Sequence, residues 1–416
     1  MVYLTIFFIP AYLLRFEVFG IPTNALEVLV GIAFLWWGIK KFQIPNSKSQ
    51  TNSKSKFTKF KKFWSFDNWD FGFVWKLEIG NWKLKTGITL LLFGLALGTF
   101  ASPDIKTSLG ALKSWFIVPM LFAFAAGSTL QSRDQKEKAF WSLALSGIAV
   151  AVVAMGYWFK GVLTFDGRLA AFYESPNMLA MYIAPALLIV AQALTYDLRL
   201  TTYNKRLINK SLVVGFSFLV FSLVMTRSIG AIVGIVGAAI IYLSIERWGK
   251  HREKLWKIIF IIIFCASLTL PFSSLFFNPW AMGRSSLVSR VMVWQVSLAI
   301  LKDHWLFGIG PGAFQDVYLA YQKQFPPYLE WAMPHPHNIF LAAWLYGGLL
   351  GIVGFFLILY WFFTRALKKD IVSSCVLLIL LYLLLHGIID NTLWRNDVAQ
   401  IFYLTLLTGF DIRKGH

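Results

Sequence analysis

The stretch "WAMPHPHNIFLAAWLYGGLLG", residues 331–351, joins a polar loop to a long apolar run. The loop begins near Arg284, and it interrupts a chain that otherwise alternates apolar runs with short basic turns. A helix that crosses a hydrocarbon core of about 30 Å needs roughly 20 apolar residues. Because such runs recur from one end of the chain to the other, the pattern predicts an all-α, polytopic helical membrane protein. A membrane protein with so much sequence outside its helices in one place is expected to do its chemistry there.

Composition supports a membrane protein and argues against a soluble domain or a nucleic-acid-binding protein. The 416 residues are 57% hydrophobic and only 14% charged, far from the charge content of a soluble domain. The formal charge of +19 would suit a nucleic-acid partner. However, Lys and Arg are concentrated in alternate turns between apolar runs, which is typical of cytoplasmic loops beside a lipid bilayer. Cys265 and Cys375 lie inside apolar runs and predict neither a disulfide nor a metal site.

The apolar runs predict about twelve transmembrane helices. They lie at residues 2–14, 25–39, 87–101, 111–128, 139–159, 176–195, 211–226, 229–245, 258–277, 338–363, 371–389 and 397–410. The first run lacks a basic flank and a small-residue cleavage site, so we interpret it as a retained helix. Most of the 39 basic residues fall on one side of this arrangement. Both termini are therefore predicted to be cytoplasmic, with the long loop outside.

Five regions follow from this pattern. They are an N-terminal hairpin of helices (1–39), a basic and aromatic cytoplasmic linker (40–86), a transmembrane core (87–277), the extracytoplasmic loop (278–337) and C-terminal helices (338–416). The linker is Lys/Ser-rich in its first half and interleaves Trp and Phe with charge in its second. Such a segment suits the anionic headgroup layer. A variable tether without a specific role explains it equally well.

Four polar clusters are predicted to share the outer side. They are "FDGRLAAFYESPNMLAMYIAP" (165–185), "MTRSIGA" (225–231), the long loop, and "HGIIDNTLWRND" (386–397). Within the loop, residues 285–304 have helical periodicity, with a Ser N-cap candidate at Ser285 or Ser286. One apolar face of this segment predicts a helix along the membrane surface, with Arg290 at the rim of that face.

Two loop motifs suggest chemistry. "GIGPGAF" (308–314) opens a helical stretch with closely spaced glycines, which can offer backbone N–H groups to a phosphate; a tight turn explains it equally well. "HPHN" (335–338) stands at the mouth of the next helix, where a histidine can take a proton at neutral pH or bind a phosphate oxygen. Interfacial histidines satisfied by water are the alternative. Two histidines alone are too few for a metal site.

The ordered motifs resemble the O-antigen ligase and O-antigen polymerase family of bacterial membrane glycosyltransferases. "GRLAAFYESPNMLA" (167–180) resembles the family's Arg followed by Pro-Asn at a helix start. "SRVMVWQVSLAILKDHWLFGIGPGAF" (289–314) is similar to its Arg-x-x-x-Trp, Asp and Gly-x-Gly-x-Gly-x-Phe signature. "HPHNIFLAAWLYGGLLG" (335–351) matches its His-Asn and Gly-Leu-x-Gly helix. "TRSIGA" (226–231) departs from the usual Thr-x-Ser-Arg-Gly, since Arg227 comes two positions early.

The resemblance implies a fold of the GT-C-like type and transfer of a glycan from a polyprenyl pyrophosphate to an acceptor hydroxyl. The acceptor would be a lipid, a second glycan or a protein, at the outer face of the bacterial cytoplasmic membrane. Arginines would stabilise the departing pyrophosphate without a metal or other cofactor. The implied catalytic residues are His337 as base, with Arg290 and Arg168. The implied substrate-binding residues are Arg284, Arg227, His335, Gly310, Gly312 and Asn338.

Alternatives remain within and outside the enzyme class. Ligation, polymerisation and protein glycosylation are not separated by any residue of the chain. A transporter or flippase of a lipid-linked saccharide would also suit twelve helices and outward arginines, although it should carry ionisable residues near mid-span and repeated halves. Asn177 and Asn338 are expected to cap helices. Asp390 is expected to be a structural partner for nearby arginines.

Overall fold

The computed structural model describes residues 1–18, 20–43, 82–197, 205–247, 252–276, 285–325, 332–364 and 370–408. The described α-helices are α1 Val2–Phe7, α2 Ala25–Gln43, α3 Trp82–Phe100, α4 Ile105–Leu112, α5 Val118–Thr129, α6 Arg133–Phe159, α7 Pro176–Asp197, α8 Lys205–Thr226, α9 Ile229–Arg247, α10 Arg252–Ser273, α11 Ser286–His304, α12 Phe314–Tyr321, α13 Ile339–Phe363, α14 Ile371–Gly387 and α15 Asn396–Thr408. Short 3-10 helices occupy Ile9–Leu13, Ser274–Phe276 and Gln322–Gln324, and a π turn at Lys113–Ile117 links α4 to α5. The predicted all-α class is confirmed.

Seven of the described helical segments are long and apolar enough to cross a membrane. They are Trp82–Phe100, Ile105–Thr129, Arg133–Phe159, Pro176–Thr195, Ile229–Arg247, Ile258–Phe276 and Ile339–Phe363. Two shorter apolar helices, Lys210–Thr226 and Ile371–Gly387, accompany them. A polytopic helical membrane protein is therefore confirmed, while the count of twelve spans stays a prediction. Helix α3 begins inside the predicted linker, and residues 44–81 of that linker lie outside the described residues.

The first predicted span differs from the structure. Residues 2–14 form the six-residue α1 and then the 3-10 helix Ile9–Leu13, which contains Pro10. Proline has no N–H for a helical bond, so α1 ends where it does. At about 1.5 Å per residue for the α-helix and about 2 Å for the 3-10 helix, neither piece can cross the hydrocarbon core. The following β-hairpin pairs Arg15–Val18 with Ile21–Asn24 in antiparallel register.

Helices α3 and α13 pack with their backbones in close contact. A Cβ added at Gly94 would lie 2.4 Å from the Gly347 carbonyl oxygen, and one at Gly354 would lie 2.3 Å from the Leu91 nitrogen. Small residues at a helix interface allow this approach inside a membrane, where hydrophobic exclusion does not drive association. The glycines therefore set the position of α13, the helix that follows His337.

Helix α13 is kinked at Gly348, where φ is +60°. An unbroken helix would bond the Leu349 N–H to the Leu345 carbonyl. Instead, Leu349 N–H donates to the Leu306 carbonyl at 3.1 Å, and Ile309 N–H donates to the Leu345 carbonyl at 2.7 Å. The loop after α11 is thus bonded into the break and satisfies the Leu349 N–H and the Leu345 carbonyl, which the kink would otherwise leave unpaired.

Helix α11 has the predicted cap. Ser285 is its N-cap, and its Oγ accepts a hydrogen bond from Val288 N–H at 3.3 Å. Leu287 is 58% exposed, whereas Val293 and Val296 are fully buried. Buried residues extend around most of the helix because it packs against α10, α12 and α13. The position of this helix along the membrane surface stays a prediction.

Candidate active site

The carboxylate of Asp390 is the centre of a polar cluster at one end of the bundle. Asp390 follows α14 and is 2% exposed. Its Oδ1 lies 3.0 Å from His337 Nδ1 and accepts a hydrogen bond of 2.8 Å from the Asn391 N–H. Its Oδ2 lies 3.6 Å from Arg290 Nη2 and accepts a bond of 3.4 Å from Asn177 Nδ2. One buried anion therefore joins side chains from four separate segments of the chain.

His337 is held in a strained backbone conformation. Its φ is +48°, in the left-handed region that side chains with a Cβ rarely occupy. The next residue, Asn338, caps α13 by accepting hydrogen bonds of 2.9 Å from the Phe340 and Leu341 N–H groups. Trp294 Nε1 lies 3.4 Å from the His337 carbonyl oxygen. Strain of this kind is often found at functional sites, where the surrounding structure maintains it.

The ionised state of Asp390 follows from the charges around it. Burial raises the pKa of Asp390, but the charge of a protonated His337 ring and the hydrogen bond from His337 outweigh burial and hold that pKa well below its ordinary value. The carboxylate is therefore ionised at neutral pH and can only accept hydrogen bonds. In the neutral form of His337, Nδ1 must donate to this carboxylate, which leaves a lone pair on Nε2. That tautomer has the arrangement of an oriented general base.

Arg290 reaches the cluster from the second turn of α11. Its Nε–H donates to the Ile389 carbonyl at 2.7 Å, and its Nη1 donates to the Ser286 carbonyl at 2.9 Å and to the Ser286 hydroxyl. The contact of Nη2 with Asp390, at 3.6 Å, is an ion pair longer than a hydrogen bond. An incoming phosphate oxygen can compete for that end of the guanidinium.

Arg168 approaches from the loop before α7. Its Nε–H donates to the Thr226 carbonyl at 2.7 Å, and its Nη2 donates to Asn177 Oδ1 at 2.8 Å. Nη1 lies 3.7 Å from Asp166. The adjoining turn between α8 and α9 places Arg227 at φ +48°, with an exposed side chain. The structure thus connects Arg168, through Asn177, to the same carboxylate that contacts His337 and Arg290.

The other predicted site residues differ in their placement. Arg284 lies outside the described residues. The His335 ring stands 4.4 Å from that of His337, centroid to centroid, and its buried Nδ1 has no hydrogen-bond partner among the described residues. Burial, then the charge of His337, lowers the pKa of His335 to about 3, so His335 is neutral at physiological pH. Arg227 stays a prediction as a substrate ligand.

The glycines of "GIGPGAF" pack against α3 and α4. A Cβ at Gly310 would lie 2.7 Å from Ser108 Oγ and 2.9 Å from the Gly98 carbonyl oxygen. A Cβ at Gly312 would lie 3.1 Å from that of Ala111. Both have φ near +80°, at +82° and +83°, which favours glycine. Close packing and turn geometry therefore account for both residues, and phosphate contact stays a prediction.

Asn338 is a structural residue, as its capping role predicted. It is fully buried, its Oδ1 bonds two helical N–H groups, and its Nδ2 donates to the Ile388 carbonyl at 2.8 Å. The cap and the bond to Ile388 account for an asparagine at this position. Its assignment as a substrate-binding residue stays a prediction. Asn177 was expected to cap α7, but its side chain bridges Arg168 and Asp390 instead.

His335, His337 and Asp390 could together hold a metal ion, since one ligand atom from each lies within 4.8 Å of the others. Two imidazoles and a carboxylate suit zinc and similar ions. An ion there would displace the proton shared by His337 and Asp390. It would also place a second cation beside Arg290, which already pairs with the same carboxylate. Independence from a metal therefore stays a prediction.

Asp390 pairs with Arg290, as the sequence led us to expect, whereas its contact with His337 and the pair Arg395–Asp397 were not predicted. Arg395 donates from Nε and Nη2 to the two oxygens of Asp397, at 2.6 and 2.8 Å. Nη2 also donates to the Met178 carbonyl at 3.1 Å, which ties α15 to the first turn of α7. Both acidic residues stand in "HGIIDNTLWRND". The sequence signal that could have drawn attention to these residues is the prediction that this cluster faces the outer side of the membrane.

Fold and site together define a polytopic helical membrane protein with a histidine–aspartate pair and two arginines at one end of its bundle. Residues 214–356 match the O-antigen ligase family. The match confirms the resemblance that the motifs indicated and supports a membrane enzyme that transfers glycans. It includes Arg290 and His337, whereas Arg168 and Asp390 lie outside the matched segment. None of the curated proteins matches the chain.

Proposed function

We propose that the protein transfers a glycan from a polyprenyl pyrophosphate, of the undecaprenyl kind in bacteria, to an acceptor hydroxyl. The reaction takes place at the outer face of the bacterial cytoplasmic membrane, with both termini inside the cell. The observation that supports this proposal is the cluster around Asp390, which contacts His337 and Arg290 directly and is joined to Arg168 through Asn177. Two permanent cations and a histidine that could serve as a base lie in this cluster.

The proposed chemistry uses these groups in separate roles. His337 Nε2 takes the proton of the acceptor hydroxyl as its oxygen bonds to the first carbon of the glycan. The bond from that carbon to the pyrophosphate oxygen breaks, and the negative charge passes to the leaving pyrophosphate. The guanidinium groups of Arg168 and Arg290 stabilise that charge, since a planar fork binds phosphate oxygens in pairs and stays protonated. The arginines thus do the electrostatic work that a divalent cation does in other transferases.

The acceptor remains open in this proposal. His337 would remove a proton from a hydroxyl whether the acceptor is a lipid, a growing glycan or a protein. The same site therefore suits a ligase, a polymerase and a protein-glycosylating enzyme. A flippase for a lipid-linked saccharide would form no glycosidic bond. The test therefore measures the mass of the product as well as the disappearance of the donor.

The experiment uses purified protein in lipid nanodiscs with an undecaprenyl-pyrophosphate-linked glycan and candidate acceptors, in the presence of EDTA. We expect transfer to persist with EDTA and to fall at least about 100-fold in His337→Ala, the usual value of a positioned general base. His304→Ala is the matched control, because His304 ends α11 beside Tyr321, outside the cluster. A requirement for added metal, or full activity of His337→Ala, would contradict the mechanism. Donor translocation without a new glycosidic bond would favour the flippase.

A further inference from the structure

The side-chain amide of Asn177 lies between a guanidinium and a carboxylate. Its Oδ1 accepts a hydrogen bond of 2.8 Å from Arg168 Nη2, and its Nδ2 donates one of 3.4 Å to Asp390 Oδ2. Arg168 is fixed on its other side by the bond of 2.7 Å to the Thr226 carbonyl. Asn177 therefore connects the loop before α7 with the turn after α14.

Asn177 is free for this contact because another residue caps α7. The Ser175 Oγ accepts a hydrogen bond of 3.3 Å from the Met178 N–H, which is the bond an N-cap makes. Asn177 stands in the first turn of the helix, and none of its side-chain bonds is to the α7 backbone. Helix initiation thus does not account for an asparagine at this position.

The chemistry of the two neighbours does account for it. An amide accepts from a cation with its oxygen and donates to an anion with its nitrogen. An aspartate at position 177 would keep the bond to Arg168 but would bring a second carboxylate close to Asp390. A leucine would keep the size of the side chain and leave both neighbours without this partner. Only a side chain with both functions at this length satisfies the two charged groups.

We propose that Asn177 is a positioning residue that holds the Arg168 guanidinium and the Asp390 carboxylate at a fixed separation. The cation that receives the leaving pyrophosphate and the carboxylate that orients His337 then act on the same substrate. This inference rests on the proposed function, and it requires no contact between Asn177 and substrate. The other ionisable groups around Asp390 are Arg290, His335, His337, His386 and Arg395.

The experiment compares wild type with Asn177→Leu and Asn177→Asp in nanodiscs. Calorimetry measures affinity for inorganic pyrophosphate, and transfer assays give kcat and the donor KM across pH. Asn177→Leu should weaken pyrophosphate binding and lower kcat, each by about tenfold, the usual effect of losing a hydrogen bond to a charged group. Asn177→Asp should move the acid limb of the kcat profile to higher pH, because the added carboxylate raises the pKa of Asp390.

Ser175→Ala is the matched control, since it removes the cap of α7 and leaves the bridge. It should lower the thermal midpoint without changing pyrophosphate affinity or the pH profile. A merely structural role of Asn177 would lower kcat alone, with unchanged affinity, donor KM and pH profile, and that result would overturn the proposal.

The same data separate this inference from the proposed function. If Asn177→Leu weakens pyrophosphate binding while wild type forms no glycosidic bond, the transfer function is wrong and the positioning of Arg168 stands. If wild type transfers glycan and both variants match it, the positioning role is wrong. A wild-type protein that neither binds pyrophosphate nor transfers glycan overturns both.

Discussion

Replacing Asp390 by asparagine tests the centre of the site with almost no change of shape. Asp390→Asn removes a buried negative charge that faces His337 Nδ1 at 3.0 Å and Arg290 Nη2 at 3.6 Å. The amide of the variant can donate to Nδ1, which favours the tautomer with the proton on Nε2. That tautomer has no lone pair for the acceptor hydroxyl. We therefore expect kcat to fall by about 100-fold or more, comparable to losing the general base.

The same substitution has a predictable effect on stability. Removing one member of a buried ion pair typically costs about 3–5 kcal/mol, and the retained amide bonds place this case near the lower end. The direction in which this stabilisation changes with pH follows from the pKa of Asp390, which is depressed in the folded protein. An unfolded aspartate titrates near pH 4, so this stabilisation is present above about pH 4 and is lost as the pH falls toward the folded pKa. Wild type and variant should converge in stability below about pH 4.

The assay is thermal unfolding in one detergent from pH 3 to pH 8, alongside transfer kinetics at neutral pH. Asp316→Asn, on the exposed side of α12, is the matched control and should leave both curves at wild-type values. Asp390→Asn with at least half of the wild-type kcat would refute the assignment of His337 as an oriented base. An unchanged gap between the wild-type and Asp390→Asn unfolding curves at every pH would refute the electrostatic account.

Two further substitutions test neighbouring parts of the site. Arg290→Lys keeps the charge, but a single ammonium group cannot bond Ile389 and Ser286 while it faces Asp390. We therefore expect the affinity for pyrophosphate, measured by calorimetry, to fall about tenfold. An equal loss of affinity in the control Arg133→Lys would contradict this expectation. Gly310→Ala should lower the free energy of unfolding by more than about 1 kcal/mol, because φ is +82° and Ser108 Oγ lies within 2.7 Å of the new Cβ. Gly110→Ala, whose Cβ meets nothing within 4 Å, is its control. Normal unfolding of Gly310→Ala with weakened pyrophosphate binding would instead support phosphate contact.

The features that could be predicted from sequence are those with a local signal. Apolar runs predicted helices such as Pro176–Thr195, and side-chain chemistry predicted the cap at Ser285 and the cap at Asn338. Each of these depends on residues within a few positions of one another. The contacts of Asp390 do not, because its partners His337, Arg290 and Asn177 are distant in the chain. No periodicity or spacing relates them, and only the packing of α7, α11, α13 and α14 brings them together.

The packing of α11 shows a second limit. Its periodicity predicted one apolar face, yet buried residues extend around most of the helix. In a membrane protein the interior of the bundle and the surrounding lipid are both apolar, so an apolar side chain does not reveal which of them it contacts. The kink at Gly348 could not be predicted from the sequence either, because it accompanies hydrogen bonds to the backbone of a loop that is distant in the chain.

That kink has a consequence for biogenesis. Before the loop docks, α13 can insert as a straight helix with the Leu349 N–H bonded to the Leu345 carbonyl. Docking replaces this bond by one from the Leu349 N–H to the Leu306 carbonyl and one from the Ile309 N–H to the Leu345 carbonyl. In a membrane such a bond contributes about 1 kcal/mol. We therefore expect the segment between α11 and α12 to dock onto α13 late in assembly, after α13 has inserted, so that the proposed site is completed only at that step.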